Sequence, residues 1–306
     1  MPDARMVLTH LGRFRDQMVP LLERLVPGVA FTDHGSSDVL VALPTDHDAL
    51  ARKLTPAVKW IHVLGAGVDG FPLDAVGDRV LTSSRGAAAP AIAEFVLAGM
   101  LAFEKQLPER WITEPPAQWN VARLGSLRGK TVGILGLGAI GTEVARLALA
   151  FGARVVALRR TQKTSSLQGV EISARLADVL ASGDHLVIAL PATKDTHHVL
   201  GKAAFADMKP GVNLANVSRG TIVDQDALLA ALDDGTVARA NLDVTDPEPL
   251  PAGHPLYSHP RVRLTPHISW SSPDTMRRTI EMFAENLRRY DSGEHLHGLV
   301  DLAAGY

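Results

Sequence analysis

Three loops in the C-terminal half of this 306-residue chain carry side chains that could bind an anion and transfer a proton. Arg219 follows one predicted strand, Glu248 follows the next, and His267 follows the last. An arginine can bind both oxygens of a carboxylate, and a histidine can exchange a proton near neutral pH. A carboxylate beside a histidine fixes its ring and favours its protonated form. If the loops meet, they form a site for general acid–base chemistry on a carboxylate-bearing molecule.

A glycine-rich loop precedes these residues. The apolar residues 132–135 lead into Gly136-Leu137-Gly138-Ala139-Ile140-Gly141, and a helical pattern follows at 142–150. In such a strand–loop–helix unit the first glycine permits a tight turn, the second lets backbone N–H groups approach a pyrophosphate, and the third lets helix and strand pack closely. The alternative is a tight turn with no ligand. The predicted dinucleotide contacts are Gly136, Gly138, Ala139, Ile140 and Gly141.

The same glycine spacing occurs earlier, in Gly65-Ala66-Gly67-Val68-Asp69-Gly70. The segment that follows it, Phe71-Pro72-Leu73-Asp74, is too short and too broken by proline to begin a long helix whose amides face a phosphate. The later loop is followed by a helix and by a strand at 154–158, so it alone completes a βαβ unit. For the earlier run a plain turn is the default, although its amides could hold a carboxylate.

Strand-like and helix-like segments alternate along the chain, which indicates an α/β fold, and the length favours two domains. We predict two doubly wound parallel-sheet domains: a Rossmann dinucleotide-binding domain at 98–278, and a smaller flavodoxin-like substrate domain at 1–97 completed by 279–306. The predicted strands are 5–9, 39–43 and 58–64, then 131–135, 154–158, 185–190, 212–216, 238–244 and 262–265. The main predicted helices are 11–26, 46–54, 87–106, 142–150 and 274–290, and a proline-rich excursion covers 108–129.

Composition excludes several classes of function. A formal net charge of −2 gives no reason to expect a nucleic acid or an anionic membrane as partner. The chain has no cysteine, so disulfides and thiolate nucleophiles are excluded, and no metal site is predicted. No segment resembles a secretion signal, and no apolar run approaches the length of a membrane span. We therefore expect a cytoplasmic protein that binds neither nucleic acid nor membrane.

Three segments around the polar loops resemble the signature segments of the D-isomer-specific 2-hydroxyacid dehydrogenase family. They are Asn216-Val217-Ser218-Arg219-Gly220-Thr221-Ile222-Val223-Asp224, then Leu242-Asp243-Val244 through Glu248-Pro249, then Thr265-Pro266-His267. The resemblance implies reduction of small 2-keto acids to D-2-hydroxy acids by hydride transfer from a nicotinamide, as in glyoxylate/hydroxypyruvate reductases. It also implies that Arg219 binds the substrate, that Glu248 orients the base, and that His267 is the general acid/base.

The same resemblance implies further contacts to substrate and cofactor. The implied substrate contacts are Leu64, Gly65, Ala66 and Gly67, together with Arg219 and His267. The implied cofactor contacts are Pro191, Thr196, Val217, Ser218, Arg219, Asp243, His267 and Ser269. Trp270, three residues past the histidine, is either a core aromatic residue or a wall that limits substrate size.

The residues after the second strand of the βαβ unit indicate which nicotinamide cofactor is preferred. NAD enzymes place an acidic residue there, which binds the ribose 2′-hydroxyl, whereas this chain has Arg159, Arg160 and Thr161. Because basic side chains pair with a 2′-phosphate, we predict that NADP(H) is preferred and that NAD(H) is possible. The alternative is a solvated basic loop above the adenine of NAD.

The sequence is also compatible with two other functions. An NAD-dependent D-2-hydroxyacid dehydrogenase is one, and a dinucleotide-sensing, corepressor-like binding protein is another. Formate dehydrogenases of the same superfamily lack the glutamate before the histidine, so Glu248 argues against them. The near-neutral charge and the presence of all three polar side chains argue against the binding protein.

The apolar helix at 87–106 indicates an oligomer. It has apolar side chains on too many faces for one monomer to cover easily. The counterpart of this helix in the family lies in a dimer interface. We therefore predict a homodimer in which this helix and the excursion at 108–129 contact the partner.

Overall fold

The computed structural model describes residues 5–43, 47–159 and 167–306, and its internal contacts divide into two compact units. Unit 1 comprises the chain up to Ala88 together with Ser272–Tyr306, and unit 2 is Ala89–Ser271. Each unit contains one parallel sheet with helices, so the predicted α/β class is confirmed. The boundaries inferred from the sequence, 97/98 and 278/279, fall within two long helices that the contacts assign whole to unit 2 and unit 1 respectively.

Unit 1 is built on five parallel strands in the order β2-β1-β3-β4-β5, which is the flavodoxin-like order. The strands are β1 (Arg5–His10), β2 (Val29–Thr32), β3 (Val39–Ala42), β4 (Trp60–Val63) and β5 (Val80–Ser83). The helices are α1 (Arg15–Leu25), α2 (His47–Lys53), α3 (Leu73–Val76) and α9 (Pro273–Asp291). Three strands were expected here, so the expectation missed β2 and β5. Both are as short as β3 and β4, but β2 ends in Thr32 and β5 ends in Thr82 and Ser83, so neither forms the apolar run that indicates a buried strand.

Unit 2 is built on seven parallel strands in the order β12-β11-β10-β9-β6-β7-β8. The strands are β6 (Thr131–Leu135), β7 (Arg154–Leu158), β8 (Val170–Ser173), β9 (His185–Ile188), β10 (Val212–Asn216), β11 (Val237–Leu242) and β12 (Val262–Leu264). The helices are α4 (Ala89–Lys105), α5 (Ala139–Ala150), α6 (Leu176–Ser182), α7 (Lys202–Ala206) and α8 (Gln225–Asp233). Counted from β6, the first six strands follow the Rossmann order, and the chain reverses its direction across the sheet between β6 and β9.

Two details of unit 2 differ from the sequence prediction. The prediction of six strands was wrong because β8 is a four-residue edge strand with no fully buried residue, so its sequence lacks an apolar run. Helix α5 begins at Ala139 and not at 142, so the end of the glycine loop is itself the first turn of the helix. Residues 106–130, all of them described, contain no helix or strand, as expected for the excursion.

The core of unit 1 joins its sheet to the C-terminal helix. The ring of Trp60 in β4 is fully buried and stacks on Phe283 and Tyr290 of α9, at centroid distances of 5.8 and 5.1 Å. Aromatic pairs at such distances add to the free energy already gained by burial. Because α9 is about two hundred residues from β4 in the sequence, no local pattern could have revealed this packing.

A buried histidine lies beside this aromatic cluster. His62 Nδ1 lies 2.7 Å from the hydroxyl of Thr82, and its Nε2 lies 2.9 Å from the hydroxyl of Ser84. Ser84 donates its own proton to the carbonyl of Thr279, and Trp60 Nε1 donates to Thr82. The consistent assignment is therefore a neutral ring that donates from Nε2 and accepts at Nδ1. Burial lowers the pKa of His62 from its ordinary 6.5 to about 3.

We expect this histidine to make the protein sensitive to mild acid. The unfolded chain takes up a proton at His62 below pH 6.5, whereas the folded chain does so only near pH 3, so the free energy of unfolding falls as the pH drops through 6.5. At about pH 5 the loss attributable to this residue is about 2 kcal/mol. Urea unfolding at about pH 7.5 and about pH 5 measures it, and His62→Gln should reduce the difference between the two pH values. An equal acid loss in the variant would contradict this assignment.

No helix among the residues that the structure describes is both long and apolar enough to cross a membrane.

Candidate active site

Arg219, Glu248 and His267 follow three neighbouring strands of the unit 2 sheet. The strands β10, β11 and β12 are adjacent and parallel, so their carboxyl ends lie at the same edge of the sheet. The glycine-rich loop follows β6 at that edge too, and only β9 separates β6 from β10. In open α/β sheets ligands bind at this edge, where the strand order reverses. The topology therefore brings the three polar loops and the glycine loop to one side of unit 2.

His267 and Glu248 form a direct pair. The distance from His267 Nδ1 to Glu248 Oε2 is 2.8 Å, and the other carboxylate oxygen, Oε1, accepts the N–H of Thr245 at 3.2 Å. The two side chains are 41% and 39% exposed, so the pair is open to a reactant on this surface. Because Nδ1 is bonded to the carboxylate, Nε2 on the opposite side of the ring is the nitrogen that can exchange a proton with a bound molecule.

The loop that carries Arg219 packs directly against the loop that carries Glu248. Asn216 holds the turn, because its side chain donates to the carbonyl of Arg219 at 3.0 Å and accepts the N–H of Ser218 at 3.1 Å. A Cβ atom at Gly220 would lie 2.0 Å from the carbonyl carbon of Thr245, so only glycine permits this approach. The Ser218 hydroxyl donates to the carbonyl of Leu190, which ties the turn to the segment that follows β9.

Asp243 organises the residues around the histidine. This residue is 2% exposed, and its carboxylate accepts the Thr265 hydroxyl at 2.7 Å and the N–H groups of Ile268 and Ser269 at 2.8 Å each. Ser269, which was predicted to contact the cofactor, is itself buried. The indole N–H of Trp270 donates to the carbonyl of His267 at 2.9 Å. Trp270 is 43% exposed and so is not the core residue that one interpretation suggested.

The glycine loop has the geometry of an anion site. Gly136 has φ +102°, and a Cβ at Gly141 would lie 2.1 Å from the carbonyl oxygen of Gly136, so both positions require glycine. A Cβ at Gly138 would meet no atom within 4 Å, which leaves open space in front of α5. Gly138 is the N-cap of α5 and provides no side chain to the first N–H groups of the helix, at Ala139 and Ile140. An open, positively polarised helix start fits a pyrophosphate.

Other predicted cofactor residues of unit 2 that the structure describes follow strands at the same sheet edge. The side chain of Thr196 donates to the carbonyl of Pro191 at 2.7 Å and caps the short helix after β9. Val217, in the turn that leads to Arg219, is buried. Arg159 directly follows β7, and its backbone N–H donates to Ser173 of β8 at 3.0 Å. Arg160 and Thr161 lie outside the described residues. Among the described residues no cluster of histidine, aspartate or glutamate side chains could hold a metal ion.

The second glycine run belongs to unit 1. Leu64, Gly65, Ala66 and Gly67 follow β4 directly, and the Ser83 hydroxyl donates to the carbonyl of Ala66 at 3.3 Å. The helix that follows this run, α3, has only four residues. This agrees with the expectation that the run does not begin a long helix. That Leu64, Gly65, Ala66 and Gly67 contact the substrate stays a prediction.

A family model described as "D-isomer specific 2-hydroxyacid dehydrogenase, NAD binding domain" matches residues 97–269, which is more than half of the chain. The chain belongs to this family. The resemblance inferred from the three signature segments is therefore confirmed, and this 2-hydroxyacid dehydrogenase is an oxidoreductase whose unit 2 corresponds to the nicotinamide-dinucleotide-binding domain of the family.

Relatives of this dehydrogenase are similar to it in sequence or in structure over most of its length. It is 35% identical over 278 residues to the glyoxylate reductase of Korarchaeum cryptofilum (strain OPF8), covering 86% of this chain and 82% of that one. A D-isomer specific 2-hydroxyacid dehydrogenase from Xanthobacter autotrophicus Py2, solved with NADPH and MES, is similar with a TM-score of 0.87 and 29% identity over 99% and 100% of the two chains. The NADPH-dependent glyoxylate/hydroxypyruvate reductase of Sinorhizobium meliloti, solved with NADP and sulfate, gives a TM-score of 0.85 and 26% identity over 98% and 99%.

Three features of this dehydrogenase's site were not foreseen. Thr265 binds the Asp243 carboxylate, and the Trp270 indole binds the backbone of the histidine three residues earlier. Neither contact has a sequence signal, because each depends on the path of the loop after β12. Gly220 also approaches Thr245, which lies 25 residues later in another loop, and this contact has no sequence signal either.

Proposed function

We propose that this dehydrogenase reduces small 2-keto acids, such as glyoxylate and hydroxypyruvate, to D-2-hydroxy acids with NADPH as the preferred donor. The observation that carries the proposal is the 2.8 Å bond between His267 and Glu248 at the sheet edge that also holds the open start of α5. A histidine paired with a carboxylate is a proton donor, and an open helix start beside a glycine loop suits a dinucleotide.

The reaction needs a hydride at the carbonyl carbon and a proton at the carbonyl oxygen. The nicotinamide supplies the hydride when bound. Arg219 binds the substrate carboxylate with its guanidinium and polarises the adjacent carbonyl. His267 gives the proton on Nε2 to the oxygen as the carbon is reduced, and Glu248, bonded to Nδ1, orients the ring for this transfer. In the reverse direction the neutral histidine removes the hydroxyl proton.

The cofactor proposal rests on Arg159 and on the relatives. An arginine that follows β7 suits a ribose 2′-phosphate and not the 2′-hydroxyl of NAD. Two structures similar to this chain were solved with NADPH or NADP. Both relatives are below 30% identical to this chain, so they support NADP(H) without excluding NAD(H).

The substrate proposal is tested with a panel of carbonyl compounds under saturating NADPH. Glyoxylate, hydroxypyruvate and pyruvate carry the carboxylate that Arg219 would bind, whereas glycolaldehyde carries a similar carbonyl without it. We expect reduction of the keto acids and little or no reduction of glycolaldehyde. Equal rates for glycolaldehyde and glyoxylate would contradict the proposed part of Arg219.

We also propose that the dehydrogenase is a homodimer. Trp111 and Trp119 of the excursion are 72% and 75% exposed, and Ile112, Val121 and Leu124 are exposed beside them. So many large apolar side chains on one segment indicate a covered surface. We expect light scattering at micromolar concentration to give about twice the chain mass of 32.7 kDa. Trp119→Glu should shift the mass towards that of one chain, and a monomeric parent protein would contradict the proposal.

A further inference from the structure

The residue proposed as proton donor has an uncommon backbone conformation. His267 has φ +55°, which lies in the left-handed region that side chains other than glycine rarely adopt. Such a conformation is strained for a residue with a side chain, and it persists only where neighbouring groups hold it. The direction of the imidazole depends on this backbone, because the Cα–Cβ bond turns with φ. The contacts that hold His267 are therefore part of the catalytic geometry.

One set of contacts comes from the buried side of the loop. The backbone N–H of His267 is shared between the carbonyl oxygens of Asp243, at 2.9 Å, and Thr265, at 3.0 Å. The buried Asp243 carboxylate binds the Thr265 hydroxyl on one side of the histidine and the N–H groups of Ile268 and Ser269 on the other. A single residue thus fixes the chain before, at and after His267.

The other contact comes from the exposed side. The indole N–H of Trp270 donates to the carbonyl of His267 at 2.9 Å. The same peptide group is held at its other end, because the N–H of Ile268 donates to the Asp243 carboxylate at 2.8 Å. Without the Trp270 bond this peptide group is held at one end only, and its carbonyl oxygen loses its partner. A change of about 1 Å in the position of a catalytic group can reduce a rate on the order of 10²-fold.

We infer that Asp243 and Trp270 are positioning residues that together hold His267 in the left-handed conformation from which its ring reaches both Glu248 and the reactant. The inference rests on the proposed role of His267 as general acid, and it assigns to Trp270 a function through the backbone of His267. The buried Asp243 binds the loop through its carboxylate, and the exposed Trp270 binds the carbonyl of His267 through its indole N–H.

The test is a double-mutant cycle between Trp270 and His267. Trp270→Phe keeps an aromatic ring and removes only the donor, so we expect kcat for keto-acid reduction to fall roughly tenfold, the scale of one lost hydrogen bond, with the Kd for NADPH unchanged. In the His267→Asn background the same change should have no further effect on kcat, because no imidazole remains to be positioned. Asp243→Asn should lower kcat more than Trp270→Phe does.

The matched control is Tyr290→Phe, which removes an aromatic donor to the Asp38 carboxylate in unit 1 and should leave kcat unchanged. An equal loss of kcat from Trp270→Phe in both backgrounds would overturn the inference, as would an effect confined to the KM of the keto acid, which is expected of a pocket wall. If the proposed function itself were wrong, a different result is expected. His267→Asn would then keep the turnover of the parent protein, regardless of the effect of Trp270→Phe.

Discussion

Replacing His267 by asparagine should lower kcat for keto-acid reduction by a factor on the order of 10² or more, because the reaction loses its general acid. Asparagine is among the residues that best tolerate a left-handed backbone, so this substitution removes the imidazole and keeps the local chain path at φ +55°. Cofactor binding, followed by quenching of tryptophan fluorescence, should survive. The variant therefore separates proton transfer from dinucleotide binding.

The order of effects among the three polar side chains is part of this prediction. Arg219→Gln and His267→Asn should each cost more activity than Glu248→Gln, because Glu248 contacts His267 and is proposed to act only through it. His259→Asn is the control, since it breaks a second histidine–carboxylate pair, with Asp233 at 3.3 Å, elsewhere in unit 2. Near-parent turnover in His267→Asn would mean that the proton donor has been misassigned.

Reversing the charge at Arg159 should reduce the preference for NADPH. We expect the parent enzyme to have a higher kcat/KM with NADPH than with NADH. Arg159→Asp should lower kcat/KM for NADPH roughly 10- to 100-fold, the scale of a hydrogen bond to a charged group, while NADH is affected less or gains. An aspartate at this position would repel the 2′-phosphate and could accept a bond from the ribose 2′-hydroxyl.

Arg154→Asp is a matched control, because Arg154 is an exposed arginine at the opposite end of the same strand, β7. It should change the kcat/KM values for NADPH and NADH equally or not at all. If the parent enzyme used both cofactors with equal efficiency, Arg159 would have no part in discrimination. A parallel loss for both cofactors in Arg159→Asp would indicate a folding effect.

Much of the dinucleotide-binding unit could be predicted from the sequence because its signals are local. The glycine loop needs a tight turn at Gly136, open space at Gly138 and a close contact with the backbone at Gly141. These three positions lie within six residues of one another. The long buried strands show continuous apolar runs, and these were found. The strand β8 was missed because an exposed edge strand of four residues has no such run.

The arrangement around the histidine could be predicted only in part. Resemblance named Arg219, Glu248 and His267, and the structure brings the last two within 2.8 Å. The resemblance could not indicate that Asp243 holds the loop after β12 or that Trp270 binds the carbonyl of His267. These contacts depend on the left-handed backbone at His267, which the sequence does not indicate. Glycine is the strong signal for such a conformation, whereas a histidine in the sequence does not by itself indicate one.

The most direct test of the proposed function is a measurement of turnover and product together. The purified protein is mixed with NADPH and hydroxypyruvate, the absorbance of the reduced nicotinamide is followed, and the configuration of the glycerate formed is determined. We predict that NADPH is consumed in step with the formation of D-glycerate by the parent protein, and that His267→Asn binds NADPH with almost no consumption. Binding of NADPH by the parent protein without consumption, with every 2-keto acid of the panel, would contradict the account and favour a dinucleotide-sensing protein.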